Sequence, residues 1–96
     1  MRTDFDLRGQ LGSASAAVPA NIAEGFGQQA DRHFAKYLFI ARGSSNEMRA
    51  LLAVAHGRGH LEPSEKADLI GKYEEIARML TGLIKYLRAC DRKERG

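Results

Sequence analysis

Ala17-Val18-Pro19-Ala20-Asn21-Ile22-Ala23-Glu24-Gly25-Phe26-Gly27 is the stretch that decides how this chain is read. Its flanks are apolar and helix-forming, yet it carries a proline, an asparagine and a glutamate among small apolar residues. Proline in a helix interior removes a hydrogen bond and crowds the preceding turn, at roughly 3 kcal/mol. Polar groups turned toward a core must be hydrogen-bonded or they destabilise it. Two such costs in one short segment point to a specific buried arrangement. They identify a fold more than a chemistry.

Upstream, Leu7, Leu11, Ala14, Val18 and Ile22 recur at spacings of four, three, four and four. That periodicity predicts a helix over about 4–26, kinked near Pro19 or broken there into two short helices. Gly12 to Ala17 is rich in small residues and lets a neighbouring backbone come close. Gly25 and Gly27 are read as the helix end. Downstream, Asp31 reads as an N-cap. Phe34, Leu38, Ala41, Ser45, Met48, Leu52 and Ala55 then form an unbroken heptad seam over a helix of about 31–56. Tyr37, Ile40, Ser44, Leu51 and Val54 widen its apolar face, and Gly57-Arg58-Gly59 closes it. A third helix, about 63–90, opens at Pro63 with Glu65 in its first turn. Its expected seam is Leu69, Tyr73, Ile76, Leu80, Leu83, Leu87 and Cys90, flanked by Ile70, Ala77 and Ile84. The charged tail from Asp91 is expected to fray. No strand alternation appears. The faces of the second and third helices are too wide for three helices alone, so a fourth helix or another subunit should cover them.

The chain has 96 residues, with 15 Lys and Arg against 12 Asp and Glu, so its net charge is +3. A core of that size gives thin stability, and oligomerisation is a common remedy. The mild basicity permits nucleic-acid contact without demanding it. A single cysteine, Cys90, leaves no intrachain disulfide and no cysteine-cluster zinc site. There is no apolar run of roughly 18 residues and no signal-peptide centre. A cytoplasmic protein with no membrane association is the expectation.

The block Asn21 to Gly27, then Phe34, Ala41-Arg42-Gly43-Ser44 and Glu47, resembles the bacterial four-helix bundle family encoded by intervening sequences of large-subunit ribosomal RNA genes. It is also similar to the accessory variability determinant protein of diversity-generating retroelements. Leu7, Gln10, Leu11 and Ala14 match the lead-in to the proline segment, and Leu51, Leu52, Gly59 and Leu61 match the end of the hairpin's first arm. The resemblance implies an all-α, up-down antiparallel four-helix bundle, with three of its long helices in this chain as one domain over 1–96. It further implies a ring-shaped homopentamer and a non-enzymatic role. Nucleic-acid binding, beside a reverse transcriptase in the retroelement branch, belongs to the same implication. The family carries a further long helix ahead of the equivalent of Leu7, so an upstream start or a truncated relative is expected here, with an apolar groove left exposed. The family's usual arginine pair between Leu11 and Ala14 is replaced by Gly12 and Ser13.

Among candidate site residues, Asn21 and Glu24 lie one turn apart and share a face. Glu24 is expected to pair with Arg42, with Asn21 and Ser44 completing a polar layer that fixes helix register. Catalysis by Glu24 lacks a second carboxylate or a nucleophile. Arg78, Lys85, Arg88, Arg92 and Arg95 recur at seven, three, four and three on the third helix. They form either a solvated face or a surface for RNA or DNA phosphates. No aromatic stacking platform accompanies the stripe, which argues against sequence-specific reading of single strands. Arg49 and His56 match the arginine–histidine spacing of helical ribonucleases, a short and weak pattern. His56 and His60 bracket a glycine turn, but surface histidines are the better reading than a metal site. Tyr37, Tyr73 and Tyr86 read as core or interface residues, and Cys90 as a small apolar group on the seam. No catalytic residue, metal or cofactor is assigned. The readings carried forward are a homo-oligomeric nucleic-acid binder, a purely structural interaction module, and a helical ribonuclease.

Overall fold

In a computed structural model, the backbone is described over residues 4–95 and side chains over 4–94. Three helices follow in order: α1 Phe5–Phe26, α2 Asp31–Gly57 and α3 Pro63–Arg95. The described residues contain no strand. The 33 residues of α3 advance about 50 Å at 1.5 Å per residue, which matches the 53 Å long axis.

The starts and stops follow local chemistry. Asp4 caps α1, its carboxylate accepting from the Leu7 amide at 3.4 Å. The residue ahead of α2 is Ala30, with no side-chain cap; Asp31 is the first helical residue, not the cap. Its charge still favours the positive end of the helix dipole. Glu65 closes the α3 start by accepting from the Glu62 amide at 2.9 Å. Gly59, at φ +82°, makes the left-handed turn between α2 and α3. Helix α1 runs unbroken through Pro19, so the two-helix alternative is set aside. Gly25 does not end it. That glycine is buried within the last turn, and a Cβ there would lie 2.8 Å from Phe34 Cδ1.

Helix α2 is the spine. It packs against both α1 and α3, while α1 and α3 bring no Cα atoms within 8 Å of each other among the described residues. Leu7 and Ala14 of α1 cluster with Met48, Leu51, Leu52 and Ala55 of α2, and with Leu69 and Tyr73 at the α3 start. At the other end, Ala35, Leu38 and Ala41 meet Leu80, Ile84 and Leu87, joined by Ile22. Successive helices are therefore antiparallel. Between the clusters Ser45 is fully buried, its hydroxyl satisfied by the Ala41 carbonyl at 3.1 Å.

The α2 seam lies near its expected place, with Ala35 buried where Phe34 is only half-buried. The α3 seam is rotated from expectation. The buried line is Ala77, Leu80, Ile84, Leu87 and Asp91, while Leu83 is exposed and Cys90 half-buried. Because α3 rests on α2 alone, only one narrow line is covered. Met79, Leu83 and Tyr86 stand out on the single chain, so Tyr86 is not a core residue of it. The helix also continues past Asp91 to Arg95 instead of fraying. Val18, Pro19 and Ile22 of α1 face Tyr73, Ile76, Met79 and Leu80 of α3 across an apolar groove of about 350 Å³.

Candidate nucleic-acid interface

The cations of α3 lie on its outer side. Arg78, Lys85, Arg88 and Arg92 are exposed, and none forms an ion pair among the described residues. The Arg95 side chain lies outside the described residues. Seven residues advance about 10 Å along a helix, so Arg78, Lys85 and Arg92 form a row with that repeat. Duplex phosphates follow one another at about 3.4 Å of axis per strand, so each step of the row spans about three nucleotides.

Three of these cations border two grooves against α2. Arg78 and Lys85 line a groove between α2 and α3 of about 810 Å³, joined there by Arg42 and Arg49 from α2. Arg88 lines a separate groove of about 450 Å³ with Arg32, Lys36, Phe39 and Ile40 of α2. Helix α2 thus supplies cations that the periodicity of α3 alone does not reveal. The repeated seven-residue spacing of Arg42 with Arg49 and of Arg78 with Lys85 was the available signal. Two antiparallel helices with the same spacing put such pairs in parallel rows.

Arg42 is held in place. Its Nη1 donates to Thr81 Oγ1 at 3.0 Å, and that hydroxyl donates onward to the Ala77 carbonyl at 2.9 Å. The guanidinium carbon sits 4.8 Å from the centroid of the Phe39 ring, a cation–π contact. No carboxylate pairs with it among the described residues. Arg49 differs, since its Nη2 lies 3.5 Å from Glu74 Oε1. Its charge is therefore partly answered.

The expected polar layer of Asn21, Glu24, Arg42 and Ser44 does not form. Arg42 turns to Thr81 on α3, away from Glu24. Asn21 donates to the Ala17 carbonyl of its own helix at 2.8 Å. Glu24 is exposed, and only its backbone carbonyl is engaged, by Gln28. Ser44 lines a groove between α1 and α2. The register device is instead steric: Gly25 admits the Phe34 ring against the α1 backbone. Of the ribonuclease pair, Arg49 is turned to Glu74 and His56 sits in the last turn of α2.

His60 belongs to a cluster at the other end. Asp4 Oδ2 receives Arg58 Nη1 at 2.8 Å and lies 3.2 Å from His60 Nε2. The Arg58 hydrogen bond, with help from His60 and the Leu7 amide against some desolvation, holds the Asp4 carboxyl below its ordinary value. This cluster ties the start of α1 to the α2–α3 turn. No group of metal-binding side chains occurs among the described residues. No described helix is long and apolar enough to cross a membrane.

An all-helical chain with an antiparallel α2–α3 hairpin and cationic grooves is the class these features define. The family model of the 23S rRNA-intervening sequence protein matches residues 1–82, and the chain belongs to that family. Neither a curated protein nor a solved structure matches it. Arg42, Arg49 and Arg78 fall within the matched span, whereas Lys85, Arg88 and Arg92 lie beyond it.

Proposed function

We propose that this chain is a non-enzymatic protein that self-associates and binds nucleic acid through the cationic outer side of α2 and α3. One observation carries the reading: Arg42, Arg78, Lys85, Arg88 and Arg92 present five cations with no carboxylate partner among the described residues. Clustered like charges raise the free energy of a solitary chain, and a polyanion relieves that repulsion while releasing its own counterions. The family name, which refers to ribosomal RNA, agrees with an RNA-associated role.

Self-association rests on the open groove between α1 and α3. Val18, Ile22, Tyr73, Ile76 and Met79 line a surface that needs an apolar partner. A further helix would complete a four-helix bundle there, and a ring of five copies is the assembly that the bundle resemblance favours. Repetition of the cations around such a ring would multiply their effect through effective concentration. A reverse transcriptase is the protein partner that the retroelement likeness suggests.

The test is fluorescence anisotropy with labelled RNA and DNA for wild type and for Arg78→Gln/Lys85→Gln, across a salt series. The reading expects binding that weakens steeply with salt and a shallower slope in the double variant, by about 1.4 for single strands. Weak binding that ignores both salt and the substitutions would favour a structural module whose charge serves solubility alone.

A further inference from the structure

We infer that Phe39 is a stacking platform for an unpaired nucleobase, with Arg32, Lys36 and Arg88 placed to take the phosphates beside it. The inference rests on the nucleic-acid reading above and narrows its ligand to single-stranded segments. None of the positions of the α3 stripe is itself aromatic. The fold supplies one from α2, because Phe39 and Arg88 line the same groove.

Phe39 is 50% exposed at the surface of α2, an unfavourable place for a large apolar ring unless something covers it. Ile40 beside it is 41% exposed, so the groove floor is apolar. Its rim is cationic: Arg32, Lys36 and Arg88 make no ion pair among the described residues. An apolar floor within a cationic rim matches a ligand that is flat and aromatic at its centre and anionic at its edges. A nucleotide in a single strand has that form. Arg42, its guanidinium carbon 4.8 Å over the ring centroid, covers one face of Phe39, so the base is to stack on the opposite face.

Two other occupants fit less well. Bases in a duplex are stacked inward and cannot reach the ring, so a duplex would use the phosphate-facing cations but not Phe39. A second copy seated patch against patch would bring three unpaired cations against three more. Stacking of this kind tolerates any base, so no sequence preference is expected from it.

The chain has no tryptophan, so Phe39→Trp introduces a single reporter at the platform. The experiment measures binding of a twelve-nucleotide single-stranded RNA and of a duplex of equal length, for wild type, Phe39→Ala and Phe39→Trp at one low salt concentration. Helicity and assembly mass are checked for each protein. Phe39→Ala should weaken single-strand binding by about tenfold and leave duplex binding unchanged. Phe39→Trp should retain binding, and its fluorescence should be quenched on adding the single strand but not the duplex. Nucleic-acid binding in which Phe39→Ala has no effect and the tryptophan is not quenched would overturn the stacking site while leaving the phosphate-binding reading in place. Absence of binding to either RNA would overturn both. A folded Phe39→Ala protein whose assembly mass has changed would identify the patch as a contact between copies and overturn the inference.

Discussion

Gly25→Ala is the perturbation that bears most directly on how α1 is seated. Alanine is a better helix former than glycine, by at most about 1 kcal/mol in a helix interior. On propensity alone the variant should be more stable. The packing opposes this. The new Cβ would lie 2.8 Å from Phe34 Cδ1, 3.1 Å from Cε1 and 3.3 Å from Tyr37 Cβ. The Phe26 ring stands 4.9 Å from that of Phe34, centroid to centroid, so a shift of Phe34 disturbs this contact too. Overpacking of this kind costs about 1–3 kcal/mol, so the net effect is a loss of about 1 kcal/mol. For a domain of this size that lowers Tm by about 4–8 °C. Gly43→Ala is the control, since a Cβ at Gly43 meets nothing within 4 Å. It should gain roughly 0.5–1 kcal/mol. Thermal unfolding followed by circular dichroism reads both. A Gly25→Ala protein stabilised as much as Gly43→Ala would refute the close seating of Phe34 on α1. Combining Gly25→Ala with Phe34→Leu should recover part of the loss, as expected for residues in contact.

Other consequences are as direct. Leu38→Ala, at a side chain with 0% exposure, should cost about 2–5 kcal/mol in urea unfolding. The Asp4 carboxyl titrates below its ordinary value in the folded chain, so its stabilising contribution is present above pH 3.8 and is lost as pH falls through the folded value. Asp4→Asn keeps a capping side chain but loses the charge, so the stability gap to wild type should close as the pH drops below about 4. Met79→Glu alters a residue that is 62% exposed in the single chain, so monomer stability should move by less than about 0.5 kcal/mol. The assembly mass by light scattering should fall nonetheless, because a charge would enter the apolar groove. Unchanged mass would exclude that groove as the contact.

The three helices were legible in the sequence because their apolar spacings repeat without interruption. The α3 seam was misjudged for a specific reason. Leu69 to Cys90 carries two overlapping apolar lines, and periodicity alone cannot say which one a single neighbour will cover. Packing on α2 chose Ala77, Leu80, Ile84 and Leu87 and left Leu83 and Met79 open. Gly25 was read as a helix end because glycine stops helices more often than it admits a ring. The polar layer failed because Thr81, a residue on another helix, supplied the acceptor for Arg42. The basic stripe was visible as spacing on α3. Its partners on α2 were not, because Arg32, Lys36 and Phe39 join it only through the hairpin.

The central claim is that the cationic side of the hairpin engages phosphates. The most direct measurement is the affinity of wild-type protein for a short single-stranded RNA as a function of salt, with assembly mass followed on the same samples. If Arg78, Lys85, Arg88 and Arg92 all engage, log affinity should fall against log salt with a slope of about −3 per chain. A flat dependence, or no binding at about 50 mM salt, would contradict the claim.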